Sequence, residues 1–225
     1  RYLATWLVGF ALYNVAIIPN GMASDALPPH VVSAISGWGI PVMVFLSSVL
    51  LKERLYRSDF LYSAGIVAGI AILNLAEAPA DVLQIDKTAL YVLLALPFLL
   101  LVPVPFRAVP HKAKAILLAS AAGCIGGFAL VLVNVAVKEF GFDPAGWFGS
   151  PYPYLFMSTG TVAFVSLQLA MRWGNMMLVG PINNSLIILY PALCSVLVYD
   201  ASLGALQLLA IALIVASCVM ILRKH

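Results

Sequence analysis

Long apolar stretches make up most of this chain, and charged residues stand almost only between them. Segments such as LLALPFLLLVPV show no alternation of apolar and polar positions, which argues against the strands of a membrane barrel. A helix that crosses a bilayer core of about 30 Å needs about 20 apolar residues. The pattern therefore predicts eight membrane-spanning helices, near residues 2–19, 29–51, 58–76, 88–106, 113–137, 152–171, 176–199 and 203–222.

The composition agrees with this pattern. Of the 225 residues, 63% are hydrophobic and 9% are charged, whereas soluble domains carry roughly 25% charged residues. We therefore expect an all-α, multi-pass helix bundle whose immediate partner is the lipid bilayer. The sequence shows no nucleophile with a base, no metal cluster and no phosphate loop, so it predicts neither an enzyme nor a cofactor or metal site. The 12 basic residues form no dense patch, and we expect no nucleic-acid partner.

Charge is distributed unevenly between the two sides of these spans. Ten Lys and Arg residues fall on one side, and only Lys87 and Lys138 fall on the other. Because Lys and Arg accumulate on the cytoplasmic side of membrane proteins, we predict that both ends of this chain are cytoplasmic, in an inner or plasma membrane. Most acidic residues fall on the opposite, external side, among them Asp86, Glu139 and Asp143.

The chain is similar to itself at an offset of 147 residues. Residues 40–53, IPVMVFLSSVLLKE, align with residues 187–200, IILYPALCSVLVYD, with five identities in 14 positions. The charge count places Glu53 inside and Asp200 outside, so the two copies cross the membrane in opposite directions. Such an inverted-topology repeat is typical of secondary transporters.

This repeat predicts a division of the chain into two parts. Residues 1–76 form the first repeat, which is incomplete at its N-terminus, 77–87 form an external linker, and 88–225 form the second repeat of five helices. The first three spans then correspond to the last three, and the fourth and fifth have no counterpart. Two further helices are therefore expected before Arg1, and without them the bundle of eight would carry a groove on one side.

Residues that interrupt helices lie at matching depths in the second and seventh spans: Gly37, Gly39 and Pro41 in one, Gly180 and Pro181 in the other. Interrupted helices at matching places in two repeats indicate a substrate site, because unwound backbone at that depth must be buried in protein or line a cavity. The alternative is that Gly and Pro are simply frequent in membrane helices.

Neutral polar residues are the candidate substrate contacts, because no ionisable residue lies near the middle of any span. An amide at that depth either joins helices or contacts a wet cavity. We favour helix joining for one isolated amide, Asn134, and a cavity for the adjacent pair, whose side chains point about 100° apart on a helix. A mostly apolar pocket with a few amides suits a small organic solute better than an ion. The predicted contacts are Asn14, Trp38, Asn134, Asn183, Asn184, Ser185 and Tyr190.

Two pairs of glycines have the GxxxG spacing, Gly65 with Gly69 and Gly123 with Gly127. This spacing allows close approach of two helix backbones. The pairs indicate either packing within the bundle or an interface between copies of the chain.

Particular segments resemble a known family. WLVGFALYNVAIIP, the second span and FLSSVLLKERLYRSDFLYSAGIVAGIAIL resemble the first repeat of the drug/metabolite transporter superfamily, which is EamA-like. The second half, from MRWGNMMLVGP to VMIL, is similar to the other repeat and also to the magnesium transporter-like branch. The nine-helix pattern of that branch would place one helix before Arg1 in place of two. The resemblance implies two inverted five-helix repeats that move a small-molecule substrate by alternating access.

Two alternatives to an organic-solute transporter stay open. One is a different substrate, a divalent cation such as magnesium. The other is a non-transporting accessory or scaffold subunit, within a homodimer or a larger membrane complex.

Overall fold

The computed structural model describes residues 57–75, 85–141, 143–199 and 204–224, together with the helical positions 7, 8, 11, 15, 19, 21–23, 32 and 49. These described residues are all-α and include no strand, which confirms the predicted fold class at this level. Most of the first two predicted spans lies outside the described residues.

In the continuous described ranges the chain forms seven α-helices and one 3-10 helix. The α-helices are α1 (Arg57–Leu75), α2 (Lys87–Ala95), α3 (His111–Phe140), α4 (Pro144–Gly149), α5 (Tyr152–Trp173), α6 (Met176–Tyr199) and α7 (Ala205–Lys224), and the 3-10 helix is Leu96–Leu101. Among the described residues, α3, α5 and the stretch Leu178–Val198 of α6 are long and apolar enough to cross a bilayer. This agrees with a membrane protein.

The fourth predicted span is not one α-helix. Its α-helical part ends at Ala95, a 3-10 helix follows as far as Leu101, and turns occupy the next residues. Pro97, Pro103 and Pro105 lie in this segment, and a proline removes one backbone N–H and clashes with the preceding turn. The expectation of a single helix over 88–106 is therefore wrong in its second half.

Helix α3 lies at the centre of the described bundle. Every residue from 121 to 137 is buried, and α5, α6 and the 3-10 helix pack around it. A helix that is apolar on all its faces is expected in such a central position. Near the start of α3, Ala115 lies beside Gly174, whereas Val133 packs against Phe156 near the other end, so α3 and α5 are antiparallel.

The glycine pair of α3 packs against the backbone of α6. A Cβ at Gly123 would lie 2.5 Å from the Asn183 carbonyl oxygen, and one at Gly127 would lie 2.8 Å from the Ile187 carbonyl oxygen. Only glycine permits this approach. Because both contacts advance in the same direction along the two helices, α3 and α6 are parallel.

The glycine pair of α1 packs against α7. Gly65 lies against the Ser217 side chain, and Gly69 lies against Ile214 and the carbonyl oxygen of Ala210. These contacts run in opposite directions along the two helices, which are therefore antiparallel. Both GxxxG pairs thus serve packing within this chain, which confirms the first of the two interpretations.

Charged side chains separate to the two ends of the bundle. At one end, Lys87 Nζ lies 3.2 Å from Glu139 Oε1. At the other end, the His111 ring stacks on Trp173 and Lys114 Nζ lies 5.5 Å from the centre of the same indole ring. Lys87 and Glu139 thus share one end of the bundle and His111 and Lys114 share the other, and the side of the membrane that each end faces stays a prediction.

Replacing Gly127 by Ala should destabilise the bundle. The new Cβ would lie 2.8 Å from the Ile187 carbonyl oxygen and 2.9 Å from Pro191 Cδ, so α3 and α6 would have to move apart. Overpacking of this kind costs about 1–3 kcal/mol. Unfolding of the detergent-solubilised protein in increasing SDS, followed by circular dichroism, measures the loss of stability.

Gly149→Ala is the matched control, because a Cβ at Gly149 would meet no heavy atom within 4 Å. Its stability should stay within about 0.5 kcal/mol of the unchanged protein. Equal stability of the two variants would contradict the close contact between α3 and α6.

Candidate functional site

Five of the predicted substrate contacts are described, and they lie on two neighbouring helices. Asn183, Asn184, Ser185 and Tyr190 belong to α6, and Asn134 belongs to α3. All are buried except Asn184, which is half-buried. Because Gly123 faces Asn183 and Gly127 faces Ile187, Asn134 lies about 11 residues, roughly 16 Å, further along the bundle than Asn183. The structure therefore keeps Asn183, Asn184 and Ser185 together and does not bring Asn134 to them.

The predicted contacts of the other repeat, Asn14 and Trp38, lie outside the described residues. The expected helix interruption at Gly37, Gly39 and Pro41 also lies outside them. Of the predicted contacts, the structure therefore describes those on α3 and α6.

The adjacent amides of α6 bond to each other. Asn183 Nδ2 donates to Asn184 Oδ1 at 3.3 Å. Neighbouring side chains diverge on a helix, but the amide groups of Asn183 and Asn184 turn back toward one another. A side-chain amide offers two N–H donors and an oxygen with two lone pairs, so this bond uses only part of the pair's capacity.

The polar stretch of α6 begins where that helix touches the small residues of α3. The Asn183 backbone carbonyl and the Leu186 Cβ lie against Gly123, which has no side chain to keep them away. The α3 glycine thereby fixes the depth and rotation of Asn183, Asn184 and Ser185 in the bundle.

The Tyr190 hydroxyl has a structural partner. It donates to the Leu93 carbonyl oxygen at 2.6 Å and joins α6 to α2. This carbonyl would normally accept from the N–H of residue 97, but Pro97 has none. Tyr190 therefore satisfies a carbonyl that the proline releases, a role that the sequence analysis did not assign to it.

Helix α6 is continuous through Gly180 and Pro181. The expected interruption of the helix at these two residues is not found. Val179 and Ile182, on either side of them, pack against Ala115 and Leu118 of α3. Such tertiary packing compensates for the one backbone hydrogen bond that the proline removes.

The sequence analysis did not identify the second proline of α6 as a residue that shapes this helix. Pro191 lies inside the helix and offers no N–H to the Ile187 carbonyl, which faces Gly127 of α3. The buried Ser195 hydroxyl donates to the Pro191 carbonyl at 2.9 Å, one turn further along. A proline followed four residues later by a serine, within an apolar run, was the sequence feature that could have indicated this hydrogen bond.

Comparison with known proteins finds no matching family model, no matching curated protein and no matching solved structure. Within the described part of the chain, no group of three His, Cys, Asp or Glu side chains is placed to hold a metal ion. The arrangement that is described consists of amides, hydroxyls and backbone carbonyls inside an apolar bundle. Groups of this kind bind by hydrogen bonding.

Tyr190→Phe should loosen the contact between α6 and α2. The substitution leaves the buried Leu93 carbonyl without the hydroxyl donor, at a cost of about 1–3 kcal/mol. Amide hydrogen exchange, measured by mass spectrometry on peptides that cover Lys87–Ala95, should become at least about five-fold faster.

Tyr154→Phe provides the comparison for this experiment. The Tyr154 hydroxyl also donates to a backbone carbonyl, that of Phe148 at 3.1 Å, but it is exposed. Exchange in α2 should be unchanged in this variant. Equal exchange rates of α2 in the Tyr190→Phe and Tyr154→Phe variants would show that the Tyr190 hydroxyl does not stabilise the contact between α6 and α2.

Proposed function

We propose that this chain is a secondary transporter that moves a small organic solute across the membrane by alternating access between two inverted repeats. The observation that carries the proposal is the antiparallel packing of α1 against α7. These two helices are the equivalent spans of the two repeats at the offset of 147 residues. Equivalent helices of repeats with opposite topology are expected to meet in this way on a two-fold axis in the membrane plane.

The centre of this contact supports the same relation. Gly65 lies against Ser217, which corresponds to position 70 of α1, and Gly69 lies against Ile214, which corresponds to position 67. When each α7 residue is replaced by its equivalent in α1, the midpoint of both contacting pairs is therefore close to residues 67 and 68. A two-fold axis that passes between the helices requires contacts centred on equivalent positions.

The proposed solute site combines the polar stretch of α6 with Asn14 and Trp38 of the first repeat, and it leaves out Asn134, which lies further along the bundle. In this proposal Asn183 and Asn184 give up their mutual hydrogen bond to bind the solute, and Trp38 forms an aromatic wall. Few polar groups in an apolar surrounding favour a neutral or weakly polar solute. The resemblance to the drug/metabolite transporter superfamily is the reason for proposing transport as the activity.

Uptake into proteoliposomes, with a panel of neutral metabolites and Mg²⁺, tests the proposal. Asn183→Ala and Trp38→Ala should each lower uptake of the transported solute at least about ten-fold, equivalent to about 1.4 kcal/mol of binding free energy. Gln168→Ala is the matched control, since it removes an exposed amide from α5. It should leave uptake unchanged.

Other outcomes would replace this function with one of its alternatives. Uptake of Mg²⁺ alone would show a cation transporter, and unchanged uptake in both site variants would remove the proposed site. No uptake by a folded protein that retains a partner over α6 would instead show a non-transporting subunit, because a covered α6 cannot take part in opening.

A further inference from the structure

An apolar cleft of about 380 Å³ lies between the end of the 3-10 helix, α3 and α5. Its size falls in the range of about 300–1,000 Å³ that is usual for small-molecule sites. Aliphatic side chains and one proline form most of the lining. Thr161 and the buried Ser166 complete it. The aliphatic side chains include Leu101, Val104, Leu118, Val165 and Leu169.

A basic depression of about 430 Å³ lies at the nearby end of the same helices. Lys112 and Arg172 line it together with Trp173, and no acidic side chain does so. Both cationic side chains are exposed, whereas Lys114 lies over the Trp173 ring. The stacked His111 and the Lys114 contact hold the indole in place, and the two exposed cations are left to face the depression.

The cleft and the depression are adjacent. Leu169 of the cleft and Arg172 of the depression are three residues apart on α5, which is about 4.5 Å along a helix and on the same face. Leu101 and Val104 of the cleft pack against the same buried cluster as Trp173. A ligand with a charged head and an apolar tail can therefore occupy both at once.

The depression lies where a membrane interface is expected. The spans α3 and α6 begin there, at His111 and Met176, and α5 ends there at Trp173. Tryptophan, lysine and arginine are typical of this level of a bilayer, and the positive end of the α3 dipole adds to the attraction for an anion. The cleft continues from this level toward the hydrocarbon region.

We propose that the cleft and the depression together form a binding site for one anionic phospholipid. The phosphate binds Lys112 and Arg172, and one acyl chain occupies the apolar cleft. Charge complementarity selects an anionic headgroup over a zwitterionic one. A free phosphate ion would use the depression alone and gain nothing from the cleft.

Native mass spectrometry of the whole chain, released from detergent with added phosphatidylglycerol or phosphatidylcholine, tests the headgroup. Phosphatidylglycerol should bind at least about five-fold more tightly. Arg172→Gln should weaken that binding about five-fold. Arg107→Gln removes the same charge from the same end, outside the depression, and should change binding less than about two-fold.

The cleft is tested by filling it. Val165→Trp should lower phosphatidylglycerol binding, and Val215→Trp should not, although the two valines are 42% and 43% exposed. If Val165→Trp does not fold, Thr161→Phe fills the same cleft from another lining position.

Three results would overturn the proposal. They are equal binding of the two lipids, equal effects of Arg172→Gln and Arg107→Gln, and unchanged lipid binding in the cleft-filling variants. Inorganic phosphate that displaces the lipid completely would show a site for a free anion in place of a lipid.

Discussion

Two prolines inside apolar segments impose the constraint on which the described structure depends. Each removes an N–H and so releases a carbonyl that lipid cannot satisfy. Pro97 releases the Leu93 carbonyl, and the Tyr190 hydroxyl binds it from α6. Pro191 releases the Ile187 carbonyl, and Gly127 of α3 packs directly against it. Each of these two released carbonyls therefore lies at a contact of α6, one with α2 and one with α3.

Helix α6 consequently connects the parts of the described bundle. One of its faces packs against α3, whereas Ile188 joins the cluster that Ile66 of α1 and Ile214 of α7 form. The polar stretch that begins at Asn183 lies on this shared helix. Any relative movement of the α1 and α7 pair against α3 would therefore change the surroundings of α6.

The sequence predicted those features that depend on local composition. Apolar length specified helices, charge specified which residues share an end, and GxxxG spacing specified close packing. Features that depend on a distant partner were not predictable. The partner of Tyr190 is 97 residues away along the chain, and the packing that keeps α6 helical at Pro181 comes from α3. The bond between Asn183 and Asn184 depends on side-chain rotamers, on which the sequence pattern carries no information. The number of spans, the inverted repeat and the solute remain predictions.

The pairing of α1 with α7 has a consequence for the synthesis of this protein. Gly69 and its contact Ile214 are separated by most of the chain, so α1 is synthesised long before α7 exists. At about 5–20 residues per second, this interval is of the order of 7–30 s. During that time the glycine face of α1 must be occupied by lipid, by an earlier helix or by the insertion machinery. The pairing of α1 with α7 therefore involves an exchange of partners, in which α7 displaces whatever has covered α1.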